Sequence, residues 1–370
     1  MIISRTPFRI SFFGGGTDYA PWYRKHGGMV LATTINKYCY ITVRYLPPFF
    51  EHRFRLVYSK IESCTDVDQI SHPSVREVLK YLDYHRGTEI HHDGDLPARS
   101  GMGSSSAFTV GFLNAIYALR GFMASKQQLA REATYIEQVR IGETVGAQDQ
   151  AMAAHGGFNV IHFNTCGAVN VMPVPISAER LQDLNSHLML FYTGIKRTAS
   201  NIAETIVQDM DSKAKEANLR ALKDMVQEGL SILNSSQELA GFGRLLHEAW
   251  QIKSSLSAKV ANSEIDSIYA KAMQAGALGG KLLGAGGGGF FLIFAHQSAH
   301  SKIKETLSHL LHVPFKFDFT GSQIIFCDRD VEDYAALDKM RQTQIIRPFQ
   351  ELTSMPAESA PPELAPKSET

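Results

Sequence analysis

One stretch carries residue types and spacing that can hold an anion: Asp95-Leu-Pro-Ala-Arg-Ser-Gly-Met-Gly-Ser-Ser-Ser-Ala107. Behind it Phe108, Gly111, Phe112, Ala115, Ile116 and Leu119 recur at helical spacing and Gly121 can close the far end, so the Gly/Ser run sits where a helix begins. A helix start exposes free N–H groups and the positive end of the helix dipole. Together these hold a phosphate. Gly101 and Gly103 let the backbone curl around the anion, and the hydroxyls of Ser104, Ser105 and Ser106 add donors or ligate a phosphate-bound magnesium ion. The same residues also suit an ordinary loop with an N-cap.

Two better-known cradles do not fit. A Walker loop needs Gly-Lys-Ser/Thr, and no Lys follows Gly103. Gly284-Ala-Gly-Gly-Gly-Gly289 satisfies GxGxxG but runs into the strand-like Phe290-Phe-Leu-Ile-Phe294, whereas a dinucleotide fingerprint opens a helix.

Carboxylates supply the second kind of chemistry. Gly14-Gly-Gly-Thr-Asp18 offers a close-approaching backbone and polar groups suited to sugar hydroxyls, or a turn with an Asp cap. Glu137 lies near the apolar face of a helix begun by the capping box Ser125-Lys-Gln-Gln128, and a loop over 142–146 leads from it to Asp149 and Gln150. Two carboxylates meeting across that turn can divide the work, one holding magnesium and the other accepting a proton. A solvated or paired surface Glu is the plain alternative. His91-His92-Asp93 is a poor metal site, because neighbouring residues on a strand point to opposite faces.

The elements that must position these groups follow from the pattern. A strand-rich opening, Ile2 to Phe13, precedes strands over 29–43 and 54–58, the latter expected to pair beside the former, then a helix over 73–84. Strands over 158–163 and 188–192 follow. Long helices are expected over 202–210, 217–233, 239–256 and 265–275, then strands over 290–294, 315–319 and 324–326 with a helix over 301–311, an order suited to an α+β second domain. We expect domains over 1–190 and 191–345. Residues 351–370, rich in Pro, Glu, Ser and Ala, read as the disordered end of a tail over 346–370.

Composition sets outer limits. The 370 residues are 44% apolar and 20% charged, ordinary for a globular protein. Lys+Arg and Asp+Glu both number 37, so no global field draws the chain to nucleic acid or an anionic membrane, and an anion site must be local. Cys39, Cys64, Cys166 and Cys327 form no CxxC pair, which argues against a disulfide framework or zinc. With no leader-like N-terminus and no membrane-length apolar run, the sequence reads as cytoplasmic.

Three stretches, Pro7-Phe-Arg-Ile-Ser-Phe-Phe-Gly-Gly-Gly-Thr-Asp18, Pro97-Ala-Arg-Ser-Gly-Met-Gly-Ser-Ser-Ser-Ala107 and Lys281-Leu-Leu-Gly-Ala-Gly-Gly-Gly-Gly-Phe290, resemble the three motifs of the GHMP small-molecule kinases. The resemblance covers roughly residues 1–345. Within that family, Phe13-Gly-Gly-Gly-Thr-Asp18, Gly146-Ala-Gln-Asp-Gln150 and Phe191-Tyr-Thr-Gly-Ile-Lys-Arg-Thr-Ala-Ser200 look most like the D-glycero-D-manno-heptose 7-phosphate kinases. Galactokinases carry Glu-His where Gly15-Gly16 stands, so this chain departs from them and leaves more room near the sugar.

The resemblance implies a two-domain α+β fold, with an N-terminal domain like ribosomal protein S5 domain 2, a ferredoxin-like C-terminal domain, and ATP and a sugar phosphate bound between them. It implies that Asp149 is the general base for the attacking hydroxyl and that Arg9 stabilises charge on the transferring phosphoryl group. The nucleotide would lie along Pro97, Arg99, Gly101, Met102, Gly103, Ser104, Ser105 and Ser106, with Gly286 and Gly287 in the loop against them. Glu137 and Ser105 or Ser106 would ligate Mg²⁺. Gly15, Gly16, Thr17 and Asp18 would hold substrate hydroxyls, and Lys196 and Arg197 a substrate phosphate, unless that pair is only a solvated basic turn. The activity so implied is transfer to the anomeric hydroxyl of a heptose 7-phosphate, giving the 1,7-bisphosphate for nucleotide-activated heptose synthesis. A kinase for fucose, galactose or a phosphorylated octose, or a sensor of the same fold without turnover, are the competing readings, and monomer or homodimer is left open.

Overall fold

A computed structural model describes residues 1–195, 203, 205, 207, 212–256, 260, 262–328, 334 and 340. The helix expected over 202–210 except for three single positions, the pair Lys196 and Arg197, and the tail from 346 lie outside the described residues.

Seven strands in the first half build one sheet: β1 (Ile2–Phe13), β2 (Gly28–Tyr45), β3 (Phe54–Val57), β4 (Ile61–Cys64), β5 (Thr88–Gly94), β6 (Phe158–Phe163) and β7 (Val169–Pro173). A second sheet takes β8 (Leu188–Tyr192), β9 (Ala277–Leu282), β10 (Phe290–Ala295) and β11 (Leu311–His312). The chain then returns to the first sheet as β12 (Phe317–Asp318) and β13 (Gln323–Cys327).

The first sheet runs β13-β1-β2-β5-β3-β4, with β12 and β6 also on β2 and β7 on β6. Its spine is the long antiparallel pair β1/β2, in register from Ile2 opposite Val43 to Phe13 opposite Leu31. Two sequence expectations shift here. β3 pairs with β5 and β4 rather than lying beside β2. The strands expected at 315–319 and 324–326 as part of a second domain pair with β2 and β1 instead. The second sheet runs β11-β8-β10-β9, which in chain order is 4-1-3-2. With helices between β8 and β9 and between β10 and β11, that is the β-α-β-β-α-β ferredoxin-like pattern.

Helices α1 (Ala20–His26), α2 (Pro73–Tyr81), α3 (Ser104–Leu119), α4 (Lys126–Tyr135) and α5 (Gln148–His155) belong to the first half. They are followed by α6 (Ala178–His187), α7 (Lys213–Asn234), α8 (Ala240–Ser255), α9 (Ser263–Gln274) and α10 (His300–Thr306). The central helix α3 is buried without a break from Ser106 to Ile116, as a helix apolar on all sides must be. Gly111 lets it sit on β1, where a Cβ would stand 2.7 Å from Thr6 Oγ1. The two halves are joined through aromatic packing: Phe242 of α8 meets Phe12 and Phe13 of β1 edge-on, with ring centroids 5.4 and 5.0 Å apart.

Candidate active site

Burial of α3 fixes what stands at its N-terminus. Gly103, with a left-handed backbone, is the N-cap, so Ser104, Ser105 and Ser106 form the first turn, whose N–H groups lack helical acceptors. Arg99 and Gly101 also take positive φ, and Arg99 N–H donates to Ser104 Oγ at 3.1 Å, curling the loop back on the helix start. A glycine-rich loop backs it. A Cβ on Gly101 would lie 2.5 Å from Leu283 O, and one on Gly289 would lie 2.2 Å from Ser100 O. Only glycine permits that backbone-to-backbone contact.

Strand β1 delivers Arg9 beneath this loop, and the first turn of α5 delivers Asp149. Arg9 Nε donates to Asp149 Oδ1 and Nη2 to Oδ2, both at 2.8 Å, while Nη1 donates to Gly101 O at 2.7 Å. Such a two-pronged fork fixes orientation as well as charge. Gly103 lies against the pair, where a Cβ would stand 3.3 Å from Arg9 Cγ and 3.4 Å from the Asp149 carboxylate.

Asp18 is 1% exposed and accepts from Gly16 N–H at 3.0 Å. Burial pushes its carboxyl up, and the nearby Asp149 charge adds to the rise. Gly146 presses on it, with a Cβ position only 1.8 Å from Asp18 Oδ2. Glu137 sits in a widened π-helical turn, Ile136–Ile141, that continues α4. Its Oε2 accepts from Ser106 Oγ at 2.8 Å and from Gln150 Nε2 at 2.6 Å, whereas Oε1 is buried and makes no close hydrogen bond among the described residues. Burial raises this carboxyl to about 7.

A cleft of about 250 Å³ gathers most of these groups, lined by Arg9, Gly15, Gly16, Asp18, Arg99, Gly101, Gly103, Ser104, Ser105 and Asp149. Other expected residues, the expected magnesium ligands Glu137 and Ser106 among them, stand outside that lining. The Thr17 hydroxyl is buried and spent on Gly14 O at 2.8 Å and Met29 O at 3.0 Å, so it holds the loop rather than facing the cleft. Met102 is wholly buried, and its carbonyl accepts from Arg9 N–H. Pro97 is exposed and outside the lining. In the glycine-rich loop it is Gly284 and Ala285 that reach the cleft, while Gly286 packs against Val260 and Gly287 N–H donates to Val260 O. Reading from sequence missed Ser11, Gln148, Lys253 and Lys281, which also line the cleft. Ser11 was legible, since Arg9 and Ser11 lie two apart on a strand and share a face.

Family models match this frame. That for the GHMP kinases N terminal domain covers residues 73–157, and that for the GHMP kinases C terminal covers residues 212–312. The chain belongs to the GHMP kinases. It is 30% identical over 335 residues, 86% of this chain and 96% of the relative, to the D-glycero-alpha-D-manno-heptose 7-phosphate kinase of Campylobacter jejuni. It is 26% identical over 347 residues to the L-fucokinase/L-fucose-1-P guanylyltransferase of Bacteroides fragilis, of which the match spans 36%. Among solved structures, a D-glycero-D-manno-heptose 1-phosphate kinase from Bacteroides thetaiotaomicron superposes with a TM-score of 0.72 at 22% identity, covering 89% of this chain and all of that one. That likeness bears on the fold. No described helix is long and apolar enough to cross a membrane.

Proposed function

We propose that this GHMP kinase uses ATP to phosphorylate the anomeric hydroxyl of D-glycero-D-manno-heptose 7-phosphate, giving the 1,7-bisphosphate for nucleotide-activated heptose synthesis in the cytoplasm. The observation that carries a kinase reading is the Arg9–Asp149 fork held beneath a helix-start phosphate loop. Similarity to the Campylobacter kinase along nearly its whole length supports the choice of sugar.

In this reading the N–H groups and hydroxyls of Ser104 and Ser105 hold the nucleotide phosphates, with Gly101 and Gly103 allowing the approach. Asp18 orients the sugar hydroxyls, and the backbone of Gly15 and Gly16 leaves space beside them. Each Asp149 oxygen accepts one bond from Arg9 and keeps a lone pair for the attacking hydroxyl. Because phosphoryl transfer passes through a loose transition state, placing that hydroxyl and compensating charge do most of the work. Arg9 supplies such charge.

The residues present also fit a magnesium ion. Glu137 Oε1 is a buried carboxylate oxygen with no close hydrogen bond among the described residues, beside the Ser106 hydroxyl, which is the hard oxygen donor set Mg²⁺ prefers. Ser106 is therefore preferred over the exposed Ser105 as second ligand. Bound there, the ion would neutralise phosphate charge. Lys196 and Arg197 are proposed to meet the substrate phosphate, so Arg197→Ala should raise KM for the sugar phosphate far more than for the free sugar.

The deciding experiment measures ATP consumption against heptose 7-phosphate, free heptose, galactose, fucose and mannose, for wild type beside Asp149→Asn. Turnover confined to heptose 7-phosphate, reduced about 10²-fold or more in the variant, is expected. Turnover of another sugar alone discards the heptose, and binding of ATP and a sugar without turnover discards the kinase.

A further inference from the structure

Two lysines enter the cleft from the second half of the chain, and the chemistry above uses neither. Lys253, near the end of α8, is 9% exposed, and Lys281, on β9, is 4% exposed. Among the described residues their ammonium groups are held by main-chain carbonyls alone. Lys253 Nζ donates to Leu282 O at 3.1 Å and to Gly284 O, and Lys281 Nζ donates to Phe12 O at 2.6 Å. Neither forms an ion pair among the described residues, so of three N–H donors each, Lys253 keeps one and Lys281 two.

Burying two ammonium groups near one another and near Arg9 is costly unless an anion joins them. The cleft's own carboxylates fill that role only in part: Asp18 and Asp149 favour the charged form of Lys253 without outweighing burial and Arg9, and Glu143, which also lines the cleft, faces Arg99. Asp149 is already paired with Arg9, and Asp18 is pushed toward its neutral form by burial. A separate observation points the same way: the Ser11 hydroxyl, 5% exposed and lining the same cleft, has no hydrogen-bond partner among the described residues. A site with a surplus of cations, an unused hydroxyl and three free ammonium donors matches a phosphate dianion.

We infer that Lys253, Lys281, Arg9 and Ser11 form a second phosphate-binding wall of the cleft, built by α8, β9 and β1 and separate from the loop at the start of α3. This rests on reading the cleft as a kinase site. The phosphate is either the group leaving the nucleotide or the one the acceptor already carries.

The lysines' own titration supports this. Burial first, then the charge of Arg9, lowers Lys253 to about 8, and burial first, then Lys253 and Arg9, lowers Lys281 well below the usual lysine range. The groups facing Lys253 are Arg9 from β1, Asp18 from the loop after it, Asp149 from α5 and Lys281 from β9. An arriving phosphate favours the charged form of both lysines, so its affinity falls as pH rises above about 8, where free Lys253 loses its proton.

The test titrates inorganic phosphate and ATP calorimetrically into wild type, Lys253→Met, Lys281→Met and Lys253→Arg, from pH 7 to 9. Each Met variant should weaken phosphate binding about tenfold or more, while Lys253→Arg should retain it and lose the fall above pH 8. Steady-state rates then separate the sources. Loss of kcat alike with heptose 7-phosphate and free heptose assigns the wall to the transferred group, whereas a raised KM for the phosphate ester alone assigns it to the acceptor. Met variants with the wild-type melting temperature, wild-type phosphate affinity and kcat and KM within about twofold would overturn the inference. So would phosphate affinity independent of pH in wild type, which decides the matter if the Met variants fail to fold. Should wild type turn over no sugar, the proposed function fails while the binding arm still judges the wall.

Discussion

At the residue scale, Glu137 would couple the proposed magnesium site to pH. Its carboxyl is raised from 4.5 to about 7 because burial penalises the charged form more than Thr109, Ser106 and Gln150 relieve it. A proton is therefore bound by the folded chain and not by the unfolded chain between those limits. This group's contribution to stability is full below about 4.5 and is lost as pH rises through 7. Without ligand, the melting temperature of Glu137→Gln relative to wild type should rise from pH 5 to pH 8, and a flat difference would contradict it. If Glu137 holds Mg²⁺ as proposed, metal and proton compete for the same oxygens, and the Mg²⁺ concentration for half activation should increase by up to about tenfold per pH unit below 7. Gly146 makes a second prediction at this scale. Alanine there places Cβ 1.8 Å from Asp18 Oδ2, so the carboxylate must move. A displacement of about 1 Å in a substrate-positioning group costs on the order of 10²-fold in kcat/KM. Gly146→Ala should show that loss, carried mainly by KM for the sugar, and an unchanged KM would remove Asp18 from substrate binding.

At the scale of elements, the sequence was legible where pattern and chemistry coincided. The apolar periodicity after Ser106 marked α3, the Ser125 N-cap is realised by a 3.1 Å bond from Gln128 N–H although the Gln128 side chain turns to Tyr117 and Glu132 instead, and the strand-rich opening before Gly14 marked β1, which carries Arg9. It was illegible where packing overrode propensity. Strand β9, Ala-Leu-Gly-Gly-Lys-Leu, has glycines where strand formers are expected, and its partners lie elsewhere in the chain. The cause is visible: Gly279 lets β9 lie on α8, because a Cβ would stand 1.9 Å from Gly243 O. Overlooking that strand also hid Lys281, and nothing in an amphipathic helix distinguishes Lys253 from a solvated lysine. Gly279→Ala should therefore separate β9 from α8 and destabilise the protein by roughly 1–3 kcal/mol or more, as overpacking does. Chemical denaturation would measure it, and a loss below about 0.5 kcal/mol would mean the contact is not close-packed.

At the scale of the molecule, the sequence suggested a cut near residue 190, and units of that size often melt separately when their shared surface is small and polar. The connections here are of another kind. β13 pairs with β1 from Ile2 opposite Cys327 to Arg5 opposite Gln323, and the Met1 amino group donates to Asp328 O at 2.8 Å, so the last described strand completes the first sheet. Phe242 of α8 packs on Phe12 and Phe13, and Lys281 of β9 is tied to Phe12 O. Residues 1–190 alone would leave the β1 edge unpaired from Ile2 to Arg5 and Phe12 and Phe13 without Phe242, and an open edge beside uncovered apolar side chains invites association with other chains. Calorimetry of the whole chain should give one unfolding transition, with calorimetric and van't Hoff enthalpies in agreement. The 1–190 fragment should aggregate or fail to melt cooperatively. Two resolved transitions, or a cooperative soluble fragment, would show that the halves are energetically separate and that the cleft between them is held only by its ligands. A single transition would instead mean that Arg9, Asp149 and the two lysines are brought together by folding itself, before any phosphate arrives.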